Sequence, residues 1–179
     1  LISLILRRWD LSNLIAVARG IHSGWPAAEI MKGTFPAGGI GEVKLQELAS
    51  QPDLAGLTDT LYTWGDDFYK PFKQALEAYQ KEKDLAPVEL ELYKQYYFRV
   101  FKKLPLWGDD LASLKILFQR EIDILNVKTL KRLKGKKDLK AESLSKYYIP
   151  GGTLLTKDGF VKYFDPKEGP KIVSLLKET

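Results

Sequence analysis

Apolar residues recur along most of this chain at spacings of three and four, the period of a helix buried along one side. The opening stretch predicts a helix through about Arg19, with Gly20, Gly24 and Pro26 beyond it as stop signals. A short helix from Pro26 to Met31 follows. Lys32 to Gly41, rich in glycine, cannot keep a regular hydrogen-bonded period and reads as a loop. Glu42 to Ala49 and Leu54 to Thr63 predict two short helices, with Asp53 placed to cap the second. Phe68, Phe72, Leu76 and Tyr79 mark one face of the next helix, where Pro71 is tolerable because it falls in the first turn. Asp84 to Lys102 predicts another, with Leu92, Tyr96 and Val100 or its neighbour Phe101 on one side.

The longest periodic run is Leu111 to Leu133, with Leu114, Leu117, Ile124, Val127 and Leu130 on or near one stripe, ending at Gly135. Tyr148 to Gly152 reads as a second glycine loop, and short helices over about Lys157 to Phe164 and Glu168 to Lys177 close the chain. No segment shows convincing strand alternation, so the fold class is all-α.

Two stretches of this pattern repeat. Asp10-Leu11-Ser12-Asn13-Leu14, running on to Arg19, recurs as Asp123-Ile124-Leu125-Asn126-Val127, running on to Arg132, at an offset of 113 residues. The same offset brings Arg7 onto Arg120 and Gly38-Gly39 onto Gly151-Gly152, while Pro36 and Pro150 lie one residue out of step. The chain is thus expected to hold tandem similar helical modules, a complete one over residues 1–113 and a partial second copy over 114–179. The uncapped apolar opening, Leu1 to Leu6, and the incomplete second copy are what a piece of a longer protein would show.

Composition narrows the class without deciding it. In 179 residues, 45% are hydrophobic and 28% charged, ordinary for a soluble domain with a real core. The absence of cysteine removes disulfide frameworks and thiolate zinc sites, and makes a cytoplasmic location the default. The run Leu1 to Leu6 is far too short to span a bilayer, and the arginines that follow it are on the wrong side for a secretory signal. The net charge of +5 is modest but uneven. Lys128, Lys131, Arg132, Lys134, Lys136, Lys137 and Lys140 crowd together against the single acid Asp138. Such a cluster either solvates a helix end and complements its dipole or meets an anionic partner.

Catalytic chemistry finds little support. His22, the only histidine, lies just past a helix end and reads as a surface or capping residue. No acids stand at metal-ligand spacing, and no catalytic residue, cofactor site or metal site is expected. Gly38-Gly39-Ile40-Gly41 lacks the Lys-Ser or Lys-Thr of a phosphate loop and the preceding strand of a dinucleotide fold. Trp64-Gly65-Asp66-Asp67 reappears as Trp107-Gly108-Asp109-Asp110; paired carboxylates there can hold a cation, but helix starts account for them more simply.

Asp10 and Asn13, like Asp123 and Asn126, are three apart, so each pair shares a helix face and can bond neighbouring backbone or each other. They read as structural signature residues that fix a local bend or cap in each module. Arg19 and Arg132 point to a different face and read equally as structural or as interface groups.

These repeated segments, with the Pro-Gly-Gly loop at Pro150 to Gly152, resemble the C subunit of archaeal and bacterial A/V-type ATP synthases, related to the eukaryotic d subunit. The resemblance spans nearly the whole chain and rests on the doubled Asp-aliphatic-x-Asn-aliphatic signature. It implies part of an all-helical, funnel-shaped protein of pseudo-threefold symmetry. That protein is a non-catalytic component of the central stalk, a socket between the rotating shaft (subunits of the D and F type) and the membrane proteolipid ring, in proton or sodium transport. It would sit in the cytoplasm, peripheral on the membrane through its complex. On this reading Arg19, Lys128, Lys131, Arg132, Lys134, Lys136 and Lys137 are the partner-binding candidates. The competing reading is a basic helical nucleic-acid-binding domain, supported by the lysine cluster, Arg99 and the aromatics Tyr96, Tyr97 and Phe98. Those aromatics lie about thirty residues from the cluster and suit a core better than a stacking platform.

Overall fold

The computed structural model describes residues 2–104, 111–133, 139 and 141–164. Among them every regular element is helical, in the order α1 (Ile2–His22), α2 (Ala27–Lys32), α3 (Glu42–Ala49), α4 (Leu54–Thr63), α5 (Tyr69–Glu82), α6 (Ala86–Lys103), α7 (Ala112–Leu133), α8 (Ala141–Leu144), a 3-10 turn (Ser145–Tyr147) and α9 (Lys157–Lys162). The chain forms two compact units, Leu1–Val100 and Phe101–Thr179.

In the first unit α1 runs one turn past its expected end, because Gly20 is a packing residue and not a stop. A Cβ there would come within 2.4 Å of Ile30 Cγ1, so the missing side chain lets α2 close onto α1. The real stop is Gly24, whose φ of 68° allows Trp25 N–H to reach back to the Gly20 carbonyl and Gly24 N–H to that of Ile21. Gly65 ends α4 in the same way. Asp53 caps α4 as the sequence indicates, accepting from Gly56 N–H at 2.8 Å. The core is built from the inward faces of these helices, including Leu14, Val17, Leu45, Leu57, Phe72 and Leu92. Each such side chain, fully withdrawn from water, contributes about 1.5–3 kcal/mol.

In the second unit Leu130, Leu133, Leu144, Leu155 and Phe160 form the central cluster, with Tyr148 edge-on to Phe160. The buried seam of α7 differs from the expected stripe. It runs through Phe118, Ile122, Asp123, Asn126, Leu130 and Leu133, whereas Leu117 and Ile124 are exposed. Two polar residues occupy the inward face, and an apolar-only count rotates the helix away from its true seam. The turn formed by α8 and Ser145–Tyr147 stands where periodicity gave no element; a helix this short carries too few residues for a period to show. The expected helix over Glu168 to Lys177 lies outside the described residues.

Candidate functional site

The hydrogen bonds of the repeated aspartate and asparagine run mainly off their own helices. Each reaches across to a loop 22 to 32 residues on and clasps its backbone. In the first copy the Asp10 carboxylate accepts from Gly39 N–H and Ile40 N–H, both at 2.9 Å. Asn13 forms a two-way amide pair with Phe35, donating to its carbonyl and accepting from its N–H, each at 2.8 Å. In the second copy Asp123 accepts from Thr153, Leu154 and Leu155 N–H at 2.9, 3.0 and 3.1 Å. Asn126 pairs with Ile149 at 2.8 and 2.9 Å. All four side chains are buried. A buried carboxylate is tolerable here because backbone donors, held in a turn, take the place of water.

These bonds set the true register of the repeat. Phe35 matches Ile149 and Gly38 matches Gly152, an offset of 114 in the loop against 113 in the helix. A Cβ on Gly38 would fall 1.9 Å from Asp10 Oδ1, and one on Gly152 would fall 2.1 Å from Asp123 Oδ1. The two glycines are therefore equivalent, each leaving room for its carboxylate, and the pairing of Gly38-Gly39 with Gly151-Gly152 is one residue out. The shift also brings Pro36 onto Pro150. The glycine-rich loop does form an anion cradle of backbone amides, but the anion is the chain's own Asp10. A phosphate reading fails physically as well as by motif.

Around Asp10 a charged network closes the first unit. Arg7 donates to Asp10 at 3.2 Å and, in a forked pair, to both oxygens of Asp66 at 2.8 Å, while its guanidinium lies 4.6 Å from the centre of the Phe68 ring. Burial opposes the charge on both members. The Arg7 bonds and the Phe68 N–H nonetheless hold the Asp66 carboxyl below its usual range, and Asp66 and Asp10 hold Arg7 above its own. Asp67 pairs with Arg99. The Trp64 to Asp67 segment thus closes α4 and opens α5, where Asp66 accepts from Phe68 N–H at 3.0 Å as the helix-start reading expects, and both aspartates are ion-paired. The described residues contain no group of three His, Asp or Glu side chains able to hold a metal. The matching Trp107 to Asp110 lies outside them.

Of the partner-binding candidates, Arg19 forks onto Glu89 at 2.7 and 2.9 Å, with its side chain still 60% exposed. Lys131 and Arg132 lie on the last turn of α7 with Lys128 just before them, whereas Lys134, Lys136 and Lys137 lie outside the described residues. Tyr96 and Tyr97 are core residues and only Phe98 of that group is exposed, so the stacking platform needed for nucleic acid does not form there. His22 meets the Tyr79 hydroxyl at 3.0 Å on the surface.

Two helix-and-loop segments, each tied by a buried Asp and Asn to loop backbone, stand in a chain whose described regular elements are all helical. No described helix is long and apolar enough to cross a membrane. The pattern of the ATP synthase (C/AC39) subunit family matches residues 1–179, and the chain belongs to that family. The V-type ATP synthase C subunit of Deinococcus radiodurans is 33% identical over 153 residues, covering 86% of this chain and 41% of that protein. The A-type C subunit of Pyrococcus abyssi is 27% identical, covering 99% and 48%, and the V-type C subunit of Thermus thermophilus is 27% identical, covering 92% and 47%. The chain spans less than half the length of these curated relatives.

Proposed function

We propose that the chain acts within a non-catalytic component of the central stalk of an A/V-type ATPase, as part of a socket that couples the rotating shaft to the membrane proteolipid ring during proton or sodium transport. The observation that carries this reading is the family match along the whole chain. The clasps agree with it mechanically. A part that passes torque must not yield, and each module ties its loop to its longest helix through two buried polar side chains within a close-packed core. Lys128, Lys131 and Arg132, continued in sequence by Lys134, Lys136 and Lys137, supply positive charge for acidic groups on the shaft or ring, or for the anionic face of the membrane. The protein would then lie on the cytoplasmic side, peripheral to the membrane through its complex.

The test is a pull-down of the full-length parent protein from detergent-solubilised native membranes, with bound proteins identified by mass spectrometry. Recovery of shaft and proteolipid subunits is expected, and charge reversal at Lys131, Arg132, Lys134 and Lys136 should abolish it. Capture of nucleic acid without ATPase subunits would overturn the reading.

A further inference from the structure

The last turns of α7 cannot be covered as those of α1 are. In α1, Leu11, Ile15 and Ala18 follow one another down a single face and are 3%, 6% and 0% exposed, and Arg19 beside them takes the Glu89 carboxylate in a forked pair. The helix offset of 113 puts Ile124, Lys128, Lys131 and Arg132 at those positions of α7. Ile124 is 43% exposed, and Lys128 and Lys131 are exposed. Core positions of one copy thus carry cations in the other. An apolar cover like the one that seals α1 would bury two ammonium groups without counter-charges, which is far costlier than leaving them in water.

Charge gathers around this face. Leu1–Val100 holds 11 Lys and Arg against 13 Asp and Glu, whereas Phe101–Thr179 holds 17 against 10, so the positive excess of the chain belongs to the second unit. Lys128, Lys131 and Arg132, at i, i+3 and i+4, share one side of α7. The other side is buried through Asn126, Leu130 and Leu133, and the Asn126 pair with Ile149 at 2.8 and 2.9 Å keeps the helix from rolling. The cations are therefore presented at a fixed spacing. The helix dipole accounts for Lys131 and Arg132 in the last turn. It does not account for Lys128, further in, where α1 has a core isoleucine.

We propose that Ile124, Lys128 and Lys131 form the docking face for an acidic protein segment, with carboxylates spaced to meet both lysines and an apolar residue to sit on Ile124. A bilayer surface fits this face less well. Leu117, Ile124 and Lys131 stand seven residues apart along one line of the helix, so aliphatic and cationic groups share a face that an interfacial helix would keep separate. Carboxylates at set positions on a folded partner answer such a mixed line. The inference deepens the rotor-coupling reading and rests on it for the complex that supplies the segment.

The test places p-benzoylphenylalanine at Ile124 of the full-length parent protein, which leaves both lysines intact, and irradiates the complex purified from native membranes. Mass spectrometry should find a crosslink to a peptide of another subunit in which acids outnumber bases. Lys128→Glu combined with Lys131→Glu should lower its yield about tenfold or more, and Lys128→Gln with Lys131→Gln by a smaller factor. The glutamine pair carries the comparison if charge reversal prevents assembly. A yield unchanged by the substitutions, a crosslink only to lipid or only to the same chain, or no crosslink at all would overturn the proposal. Any of these with ATPase subunits still copurifying leaves the rotor-coupling reading intact. An acidic peptide from a protein outside the ATPase would do the reverse, supporting the docking face and overturning that reading.

Discussion

Asp123→Asn changes almost nothing in shape, which makes it a sharp probe of the clasp. Oδ2 receives Thr153 and Leu154 N–H, and Oδ1 receives Leu155 N–H at 3.1 Å. The amide keeps one oxygen, which will turn toward the two-donor side. Its NH2 group then faces the Leu155 N–H, a donor against a donor in a site 1% exposed. One orphaned buried donor costs about 1–3 kcal/mol. The surviving bonds also lose the charge that roughly doubles their strength. Together the loss should be about 2–4 kcal/mol, a large share of the roughly 5–15 kcal/mol that holds a domain folded. Urea unfolding followed by circular dichroism reads this as a lower midpoint. Hydrogen exchange reads it locally, as a Leu155 amide that exchanges about 30- to 900-fold faster. A loss under about 0.5 kcal/mol, no more than an ordinary surface substitution, with unchanged exchange from Thr153 to Leu155, would refute the view that the carboxylate holds the loop.

Gly38→Ala and Gly152→Ala should each destabilise by about 2 kcal/mol or more, because the new methyl overlaps a clasp oxygen. Gly33→Ala, whose nearest neighbour would be 3.5 Å away, should stay within about 0.5 kcal/mol in the same thermal melts. Asp66 has its pKa depressed in the fold, so the stability it contributes is present above its ordinary value of 3.8 and lost as pH falls through the lower folded value. Asp66→Asn should therefore lower stability at neutral pH and flatten the loss on acidification below 3.8; an unchanged acid slope in a pH series of urea midpoints would contradict the Arg7 pairing. Arg19→Ala should cost no more than about 1 kcal/mol, since the guanidinium is largely exposed. A normally folded Arg19→Ala protein that fails to bind its partners in the pull-down would place Arg19 in the interface, and normal binding would leave it to its pairing with Glu89.

The sequence shows helices well where a long apolar period or a cap residue marks them. Glu42 to Ala49 and Leu54 to Thr63 are found at those bounds, and Asp53 caps as expected. It misleads where a residue type has two uses. Gly20 has the composition of a stop and the function of a close approach. Asp123 and Asn126 look like surface residues, yet they are the core of α7, and counting only apolar positions turns that helix toward Leu117 and Ile124. The recurrence of Asp and Asn is legible because it repeats. Their partners are not, since a bond to backbone 22 to 32 residues on leaves no side-chain signature beyond the glycine that makes room for it. The one-residue slip between helix and loop is hidden for the same reason, with Pro36 and Pro150 its only trace.

Coupling can be measured in the reconstituted ATPase. With the full-length protein omitted, ATP hydrolysis by the soluble part should proceed without ion transport into vesicles, and transport should return when the protein is added back. Ion transport at the full rate without it would rule out a coupling role.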